Sequence, residues 1–268
     1  MVDQANSNIL QMEMYDGVLR LTLNDQKRRN ALSETMLVKL SEVLANAALD
    51  ASVRVIVIAA LGPAFCAGHD LKEITAARAA EDAGQAYFEQ LFDTCASVMQ
   101  LIVNNPKPVI AEVAGVATAA GCQLVASCDL AIAADSALFA TPGVNIGLFC
   151  STPMVALSRN LSNKHAMEML LTGEMINAER AEQVGLINRR LSTETLTAET
   201  MAMAAKIASK STMTVAMGKR AFYEQAEMPL VEAYAYSSEV MVNNMLKHDA
   251  KEGIGAFIEK RAPDWQDK

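Results

Sequence analysis

Apolar and polar positions along this chain follow two different periods. Val53–Ala60 and Val109–Val113 are mostly apolar runs rich in Val and Ile, each with one charged residue, a pattern typical of strands covered on both faces. Two shorter runs, Leu10–Met14 and Val18–Leu23, flank the turn sequence Tyr15-Asp16-Gly17 and predict two neighbouring strands. The chain therefore begins with sheet-forming segments.

Helical spacing appears between these strands. In Glu34–Ala47 apolar residues recur three and four positions apart, and the hydroxyl of Ser33 is suited to cap the first turn. Tyr87–Asn104 predicts a long amphipathic helix that stops before Pro106. Further patterns predict helices over Glu73–Gly84, Ala119–Ser127, Pro153–Leu161 and His165–Thr172, and strands over Leu130–Ala134 and Ala137–Ala140.

The order of these elements indicates the fold class. Strand, strand and helix recur up to about residue 150, which predicts a mixed α/β fold of repeated ββα units that form stacked sheets. Only helices follow, over Leu196–Lys210, Met213–Ala226, Leu230–His248 and Lys251–Lys260. Their Met and Ala content is typical of a core or a subunit contact rather than of a cofactor site. We therefore predict a core, residues 1–195, and a helical C-terminal region, residues 196–268.

Charge and composition exclude several classes of partner. A net charge of −8 and a pI of about 5.0 argue against bulk binding to nucleic acid or to an anionic membrane. No apolar stretch approaches the ~18 residues of a membrane span. The first ten residues, MVDQANSNIL, resemble no targeting segment, so the expected location is cytoplasmic. Five cysteines without a CxxC pair and three scattered histidines predict reduced thiols and no metal site.

Two loops carry the most suggestive chemistry. In Phe65–Lys72 a predicted strand turns through Gly68 and presents the N–H of His69. In the second loop, small residues precede a helix and present the N–H of Ala120. Two such donors aimed at one point would stabilise an oxyanion, and a helix N-terminus adds positive potential. The alternative is that the glycine-containing turns only allow close packing.

Six segments in order connect the chain to a known family. They are KRRNALS at 27–33, AFCAGHDLKE at 64–73, PKPVIAEVAGVATAAGCQLVASCDLAIA at 106–133, FATPGVNIGL at 139–148, AMEMLLTGEMINAERAEQVGLIN at 166–188 and EGIGAFIEKRAPDW at 252–265. Over nearly its entire length the chain resembles the enoyl-CoA hydratase/isomerase (crotonase) superfamily. The resemblance implies a crotonase (ClpP-like) fold, a C-terminal helical trimerisation region and homotrimers or dimers of trimers. It also implies an acyl-CoA thioester as ligand, with coenzyme A as part of the substrate and no permanently bound cofactor.

The resemblance also assigns site residues. The N–H groups of His69 and Ala120 would hold the thioester oxygen. The substrate- and CoA-binding positions it implies are Lys27, Arg28, Ala31, Ala67, Gly68, Asp70, Leu71, Lys72, Gly121 and Lys260, the last reaching the ligand of a neighbouring subunit. An acidic protein needs local cations for a polyanionic ligand. The alternative for these Lys and Arg residues is solvated surface charge.

The chain departs from the family where acid–base chemistry is expected. Working hydratases of the family place glutamates at the positions of Gln123 and Gly143. Glutamine cannot exchange a proton near neutral pH, and glycine has no side chain. Because general acid–base catalysis is worth ~100- to 10,000-fold, we predict weak hydratase activity. Isomerases of the family usually retain the second glutamate or use a carboxylate two residues later, where this chain has Asn145.

Other reactive side chains leave alternatives open. Cys150 follows the same loop, but a catalytic thiol needs a basic partner that the sequence does not identify. The His69 imidazole either lies beside the thioester or faces solvent. Glu112, on a predicted buried strand, is expected to form a structural pair rather than to act in catalysis.

Three functions therefore compete. The first is a CoA-thioester lyase or isomerase that uses unusual residues. The second is a base-free decarboxylase of malonyl-type acyl-CoA, since the two N–H groups could hold the enolate that decarboxylation leaves. Family decarboxylases share the GHD pattern, but the tyrosine they place near the position of Cys150 is missing. The third is a non-catalytic acyl-CoA binder or regulatory subunit.

Overall fold

A computed structural model describes residues 9–268 of the chain, so most of the N-terminal segment assessed for targeting lies outside the described residues. The strands are β1 Leu10–Tyr15, β2 Val18–Leu23, β3 Val55–Ala60, β4 Ala64–Cys66, β5 Val109–Val113, β6 Val116–Thr118, β7 Leu130–Ala134, β8 Leu138–Ala140, β9 Ile176–Asn177 and β10 Arg189–Leu191. The helices are α1 Glu34–Leu49, α2 Leu71–Ala77, α3 Gln85–Val103, α4 Ala120–Ser127, α5 Ser151–Asn160, α6 Asn163–Thr172, α7 Ala178–Val184, α8 Thr193–Ala208, α9 Thr212–Ala226, α10 Leu230–Met245 and α11 His248–Glu259. Two short 3-10 helices span Gln26–Arg28 and Pro142–Ile146.

The larger sheet is built from the apolar runs. Its order is β1-β2-β3-β5-β7-β10, with β1 antiparallel to β2 and the other pairs parallel. Ile56 and Ile58 of β3 join the main core, whereas Val55 and Val57 pack with Ala204 of α8 on the opposite face. Burial of alternate residues on both faces explains the continuous apolar run and confirms the prediction for β3.

The smaller sheet positions the site. Its order is β4-β6-β8-β9, and β4, β6 and β8 run parallel. The registers Cys66↔Ala117 and Thr118↔Ala140 bring the carboxyl ends of these three strands to one edge. Open α/β sheets bind ligands at such an edge.

The structure confirms most predicted elements and corrects some bounds. The helix predicted over Glu73–Gly84 is α2, which begins earlier because Asp70 accepts a hydrogen bond from the N–H of Lys72 (2.8 Å). It ends by Ala77, and backbone with positive φ at Ala83 and Gly84 separates it from α3. β4 is the strand expected before the turn at Gly68, whereas β6, β9, β10 and α7 were not predicted.

The C-terminal helices differ in how they are held. α8 packs on the larger sheet. Lys219 of α9 inserts its ammonium group between the carboxylate of Asp129 (2.7 Å) and the carbonyl oxygens of Ile102 and Lys107 (2.9 and 3.1 Å). The division of the chain at residue 196 stays a prediction.

Candidate active site

The two predicted loops meet. Gly68 has φ +93°, and a Cβ added to it would lie 3.0 Å from the Ala119 Cβ and 3.4 Å from the Ala120 nitrogen. A Cβ on Gly121 would lie only 2.1 Å from the carbonyl oxygen of Cys66. Glycine at both positions lets the backbones after β4 and β6 approach each other, so the loop that carries His69 packs against the start of α4.

The first loop is anchored on both sides of His69. The N–H of Leu32 donates to the Gly68 oxygen (2.8 Å), and Leu32 also forms a β-bridge with His69. On the far side, Asp70 is the N-cap of α2. The hydroxyl of Thr118, from β6, donates to the Ala67 oxygen (3.1 Å) and ties the two loops together.

The second loop holds a strained residue. Ala119 has φ 51° and ψ −120°, and backbone of this kind in a non-glycine residue costs ~1–3 kcal/mol. Its N–H donates to the Ala140 oxygen of β8 (2.9 Å), and its oxygen accepts from the N–H of Gln123 (3.0 Å). Ala120 is the first residue of α4, so its N–H has no partner within the helix and lies at the positive end of the helix dipole.

The His69 imidazole is half-buried and contacts Leu32 and Phe92. Burial lowers its pKa below the ordinary 6.5. Its Nδ1 lies 3.3 Å from the Leu32 oxygen, which only accepts, so Nδ1 carries the proton and Nε2 keeps a lone pair. Nε2 is buried without a protein hydrogen-bond partner, and the ring packs edge-to-face with Phe92 (centroids 5.5 Å apart).

The two positions of the usual glutamates have different surroundings. Gln123 is 4% exposed, and its Oε1 has no hydrogen-bond partner in the protein. A Cβ on Gly143 would lie 2.8 Å from the Leu148 oxygen and 2.9 Å from the Cys150 Sγ. The space beside Gly143 is therefore filled by its own loop.

Asn145 and Cys150 offer little acid–base chemistry. The amide of Asn145 is exposed and donates to the Gly173 oxygen (3.5 Å). Cys150 is buried, and burial raises the pKa of its thiol, which disfavours the thiolate that nucleophilic attack requires.

Three carboxylates surround Arg28, one of the cations that the family resemblance assigns to CoA binding. Arg28 is half-exposed and lies 3.3 Å from the carboxylates of both Asp70 and Glu73, with Asp25 at 3.7 Å. Glu73 also accepts from Tyr87 (3.4 Å), whose pKa is raised to about 12 by burial and by this carboxylate. A phosphate that binds Arg28 must therefore compete with carboxylates already paired to it.

The remaining predicted positions separate into buried and exposed groups. Ala31 is buried, whereas Lys27, Leu71 and Lys72 are exposed. Lys260 ends α11 with φ 56° and is exposed. Glu112 is paired with Arg20 (2.7 Å) and accepts from Thr197 of α8 (2.8 Å), which confirms its structural role.

The sequence did not single out Thr141 or Phe92. Thr141 is fully buried, and its hydroxyl has no protein hydrogen-bond partner. Phe92 lines, with Phe88, an open cavity of about 650 Å³ at the N-terminal end of α3. The only available signal for Thr141 was its place between a predicted strand and Pro142.

Comparison with known proteins shows to which family the chain belongs. The profile described as enoyl-CoA hydratase/isomerase matches residues 13–268. The chain belongs to this family. The mouse protein "Enoyl-CoA hydratase domain-containing protein 3, mitochondrial" is 48% identical over 262 residues, covering 98% of this chain and 86% of its own length. The human protein of the same name is 49% identical over 250 residues, covering 93% of this chain and 81% of its own length.

Solved structures confirm the crotonase fold. An enoyl-CoA hydratase from Mycobacterium smegmatis has a TM-score of 0.92 and 50% identity, with 97% of this chain and 99% of that one covered. Human enoyl-CoA hydratase domain-containing protein 3 has a TM-score of 0.92 and 47% identity, with 96% and 100% covered. Within the family, GHDLKE at 68–73, AAGCQLVASCD at 119–129 and FATPGVNIGLFCSTP at 139–153 point to the latter branch, which these relatives confirm.

The relatives correct the expected location. The mouse, rat and human proteins are named as mitochondrial, so the prediction of a cytoplasmic protein is wrong. Within residues 9–268, no helix is long and apolar enough to cross a membrane. The same residues contain no cluster of three His, Cys, Asp or Glu side chains suited to a metal ion, and their five cysteines are unbridged.

Proposed function

We propose that this enoyl-CoA hydratase/isomerase family member binds acyl-CoA thioesters, with the thioester oxygen between the N–H groups of His69 and Ala120. The observation that carries the proposal is the contact of the two loops, because a Cβ on Gly68 would lie 3.4 Å from the Ala120 nitrogen. Each N–H donor of such a pair is worth ~3 kcal/mol once negative charge develops on the oxygen.

We also propose that hydration of enoyl-CoA by this site is slow. The glutamate positions hold Gln123, which cannot move a proton, and Gly143, whose surroundings leave no room for a side chain. His69 adjoins the proposed oxygen site, and burial lowers the pKa of its imidazole, which disfavours the charged form. Strong binding with weak turnover follows from this combination.

The coenzyme part of the ligand would be held at the mouth of the site. Lys27, Arg28 and Lys72 supply positive charge near the loop of His69, and Lys260 would approach from a neighbouring copy. This assignment requires a homotrimer or a dimer of trimers, which we propose for the protein. The exposed apolar side chains of α10 and α11 support such an assembly.

A matched pair of glycine variants tests the oxygen site. Gly68→Ala and Gly62→Ala both place a side chain where φ is positive, but the added Cβ at Gly62 meets only the Gln26 side chain. We expect each to lower the free energy of unfolding by ~1–2 kcal/mol. Only Gly68→Ala should weaken butyryl-CoA binding, by tenfold or more in calorimetry. Equal affinities in both variants would contradict the proposed position of the thioester.

Activity is tested separately. With crotonyl-CoA, we expect turnover at least ~100-fold below the ~10 per second of an average enzyme. Turnover at an ordinary rate would overturn the proposal of slow hydration while leaving the binding proposal intact. CO₂ release from methylmalonyl-CoA would identify the decarboxylase alternative, and binding of several acyl-CoAs without any product would identify the non-catalytic binder.

A further inference from the structure

Two neighbouring residues before α1 hold the left-handed backbone conformation. Arg29 has φ 53° and Asn30 has φ 52°. Such backbone is uncommon outside glycine and persists where the surrounding structure holds it, often at functional sites. Asparagine tolerates the conformation better than arginine does. The pair lies inside the segment 27–33, which contains three of the positions that the family resemblance assigns to CoA binding.

The side chain of Asn30 holds this left-handed pair from inside the protein. Asn30 is fully buried. Its Nδ2 donates to the carbonyl oxygens of Leu61 (2.9 Å) and Ala64 (2.8 Å), which flank the turn between β3 and β4. Its Oδ1 accepts the N–H of Asp25 (2.8 Å). Both amide protons and the amide oxygen are therefore used to fix the pair to the β3–β4 turn.

The backbone of the same pair joins the loop that carries His69. The Arg29 oxygen accepts the N–H of Ala67 (3.1 Å), which belongs to that loop. Two residues beyond Asn30, the chain pairs with the loop again through Leu32, which forms a β-bridge with His69. The left-handed pair is therefore held between the β3–β4 turn on one side and the loop of His69 on the other.

A whole acyl-CoA would bind through two parts at once. In the proposed function its phosphates lie near Arg28 and its thioester lies between the N–H groups of His69 and Ala120. Two joined parts reinforce each other only when the protein holds both sites at a spacing that the ligand can span. The N–H of Ala31 donates to the Arg28 oxygen (3.2 Å), so Arg28 is bonded across the left-handed pair. The turn that Asn30 holds therefore sets the position of Arg28 relative to the loop of His69.

We propose that Asn30 is a positioning residue that sets the spacing between the CoA-binding segment and the thioester site, so that one ligand engages both. The inference rests on the proposed function and adds the residue that couples the two parts of the ligand. The three hydrogen bonds of the Asn30 side chain all go to backbone groups of the protein. Asn30 therefore acts through Arg28 and the loop of His69 rather than by touching the ligand.

A comparison of the whole ligand with its two parts tests the inference. The probes are butyryl-CoA, S-butyryl-pantetheine and adenosine 3′,5′-bisphosphate, measured by calorimetry or, for the weaker fragments, by NMR titration. Asn30→Gly removes the side chain and still allows the left-handed backbone. We expect this variant to bind butyryl-CoA about tenfold or more weakly than the wild type, and to bind each fragment within about threefold of the wild type.

This pattern separates positioning from the other roles of a buried asparagine. A residue that only stabilises the fold would leave the affinities of the folded protein unchanged, and a residue that contacts the nucleotide would weaken the bisphosphate fragment as much as butyryl-CoA. Either result overturns the inference and leaves the proposed function intact. A wild type that binds neither butyryl-CoA nor either fragment overturns both.

Two further variants complete the test. Asn105→Gly removes another buried asparagine side chain, which donates to the Leu44 oxygen (3.0 Å) and accepts the N–H of Lys107 (3.0 Å) after the end of α3. It should lower the stability and leave all three affinities unchanged, and a tenfold loss for butyryl-CoA here would overturn the inference. Asn30→Asp keeps the acceptor for Asp25 but loses both donors, so it should show the same selective loss and decides the inference where Asn30→Gly does not fold.

Discussion

Gly143 shows how one residue can close a site to its family's usual chemistry. The missing side chain leaves no gap, because the Leu148 oxygen and the Cys150 Sγ fill the position at 2.8 and 2.9 Å from where a Cβ would be. Restoring a glutamate there would therefore require the loop 144–150 to move. The absence of an acidic side chain at residue 143 is therefore linked to the conformation of the loop 144–150.

This packing predicts the effect of a single methyl group. Gly143→Ala should lower the free energy of unfolding by ~1–3 kcal/mol, because overpacking displaces backbone as well as the thiol. Combining it with Cys150→Ala should recover part of that loss, since the sulfur is removed while the Leu148 oxygen stays. Urea denaturation of the three variants measures the difference. A Gly143→Ala protein as stable as the wild type would show that the loop 144–150 can move without a cost in the free energy of unfolding.

The buried imidazole of His69 predicts a pH dependence of stability. Its folded pKa lies below the unfolded value of about 6.5, so the unfolded chain binds the proton more readily. The contribution of the neutral His69 imidazole to the free energy of unfolding is fully present above about pH 6.5. It is lost as the pH falls from there toward the folded pKa, with a slope of at most about 1.4 kcal/mol per pH unit.

Thermal unfolding between pH 7.5 and 5.5 checks this direction. The wild type should lose stability over the range, and His69→Phe, which removes the titrating group and keeps an aromatic ring beside Phe92, should lose less. His165→Phe provides the control, because neither ring nitrogen of His165 is buried without a partner, unlike the Nε2 of His69. An identical pH profile for the wild type and His69→Phe would contradict the role given to burial.

At the scale of elements, α2 is held to its surroundings by Glu73. This carboxylate contacts Arg28 (3.3 Å), accepts from the N–H of Glu34 at the start of α1 (3.0 Å) and accepts from Tyr87 of α3. It therefore pairs with the cation to which a CoA phosphate is assigned. Removing its charge leaves Arg28 with fewer competing carboxylates.

We expect Glu73→Gln to bind coenzyme A about twofold to fivefold more tightly, the range that a partly exposed ion pair supports. The gain should shrink at high ionic strength, where such interactions are screened. Glu89→Gln makes the same charge change on α3, where the side chain meets Gln85 instead of Arg28, and should have no effect. Equal calorimetric affinities of Glu73→Gln and the wild type for coenzyme A would contradict the assignment of Arg28 to the binding site.

The sequence reveals long elements better than the short ones that build the site. β3 and β5 could be predicted because burial on both faces requires a continuous apolar run. β4 and β6 have three residues each, and β9 has two, which is too short for any period to appear. The residues after β4 and β6 were found through the glycines and the family motifs, but the partnerless state of Thr141 depends on packing that no local pattern reports.

At the scale of the whole molecule, apolar surface concentrates on the last helices. α9 contains no buried residue, and Ala233 is the only buried residue of α10. Leu246, which follows α10, and Phe257 and Ile258 of α11 are 80%, 85% and 73% exposed. Large apolar patches of this kind mark contact surfaces. The negative net charge of the chain argues against an anionic membrane as the partner.

We expect copies of the chain to associate through these helices. Light scattering after gel filtration should give a mass three or six times that of the 28.8 kDa chain. Because a charge buried at an apolar contact is costly, the double variant Phe257→Glu, Ile258→Glu should shift the protein toward the monomer. Lys251→Glu, also exposed on α11 but polar from the start, should leave the mass unchanged. A wild type that elutes as a monomer would contradict the assembly and, with it, the assignment of Lys260 to a neighbouring ligand.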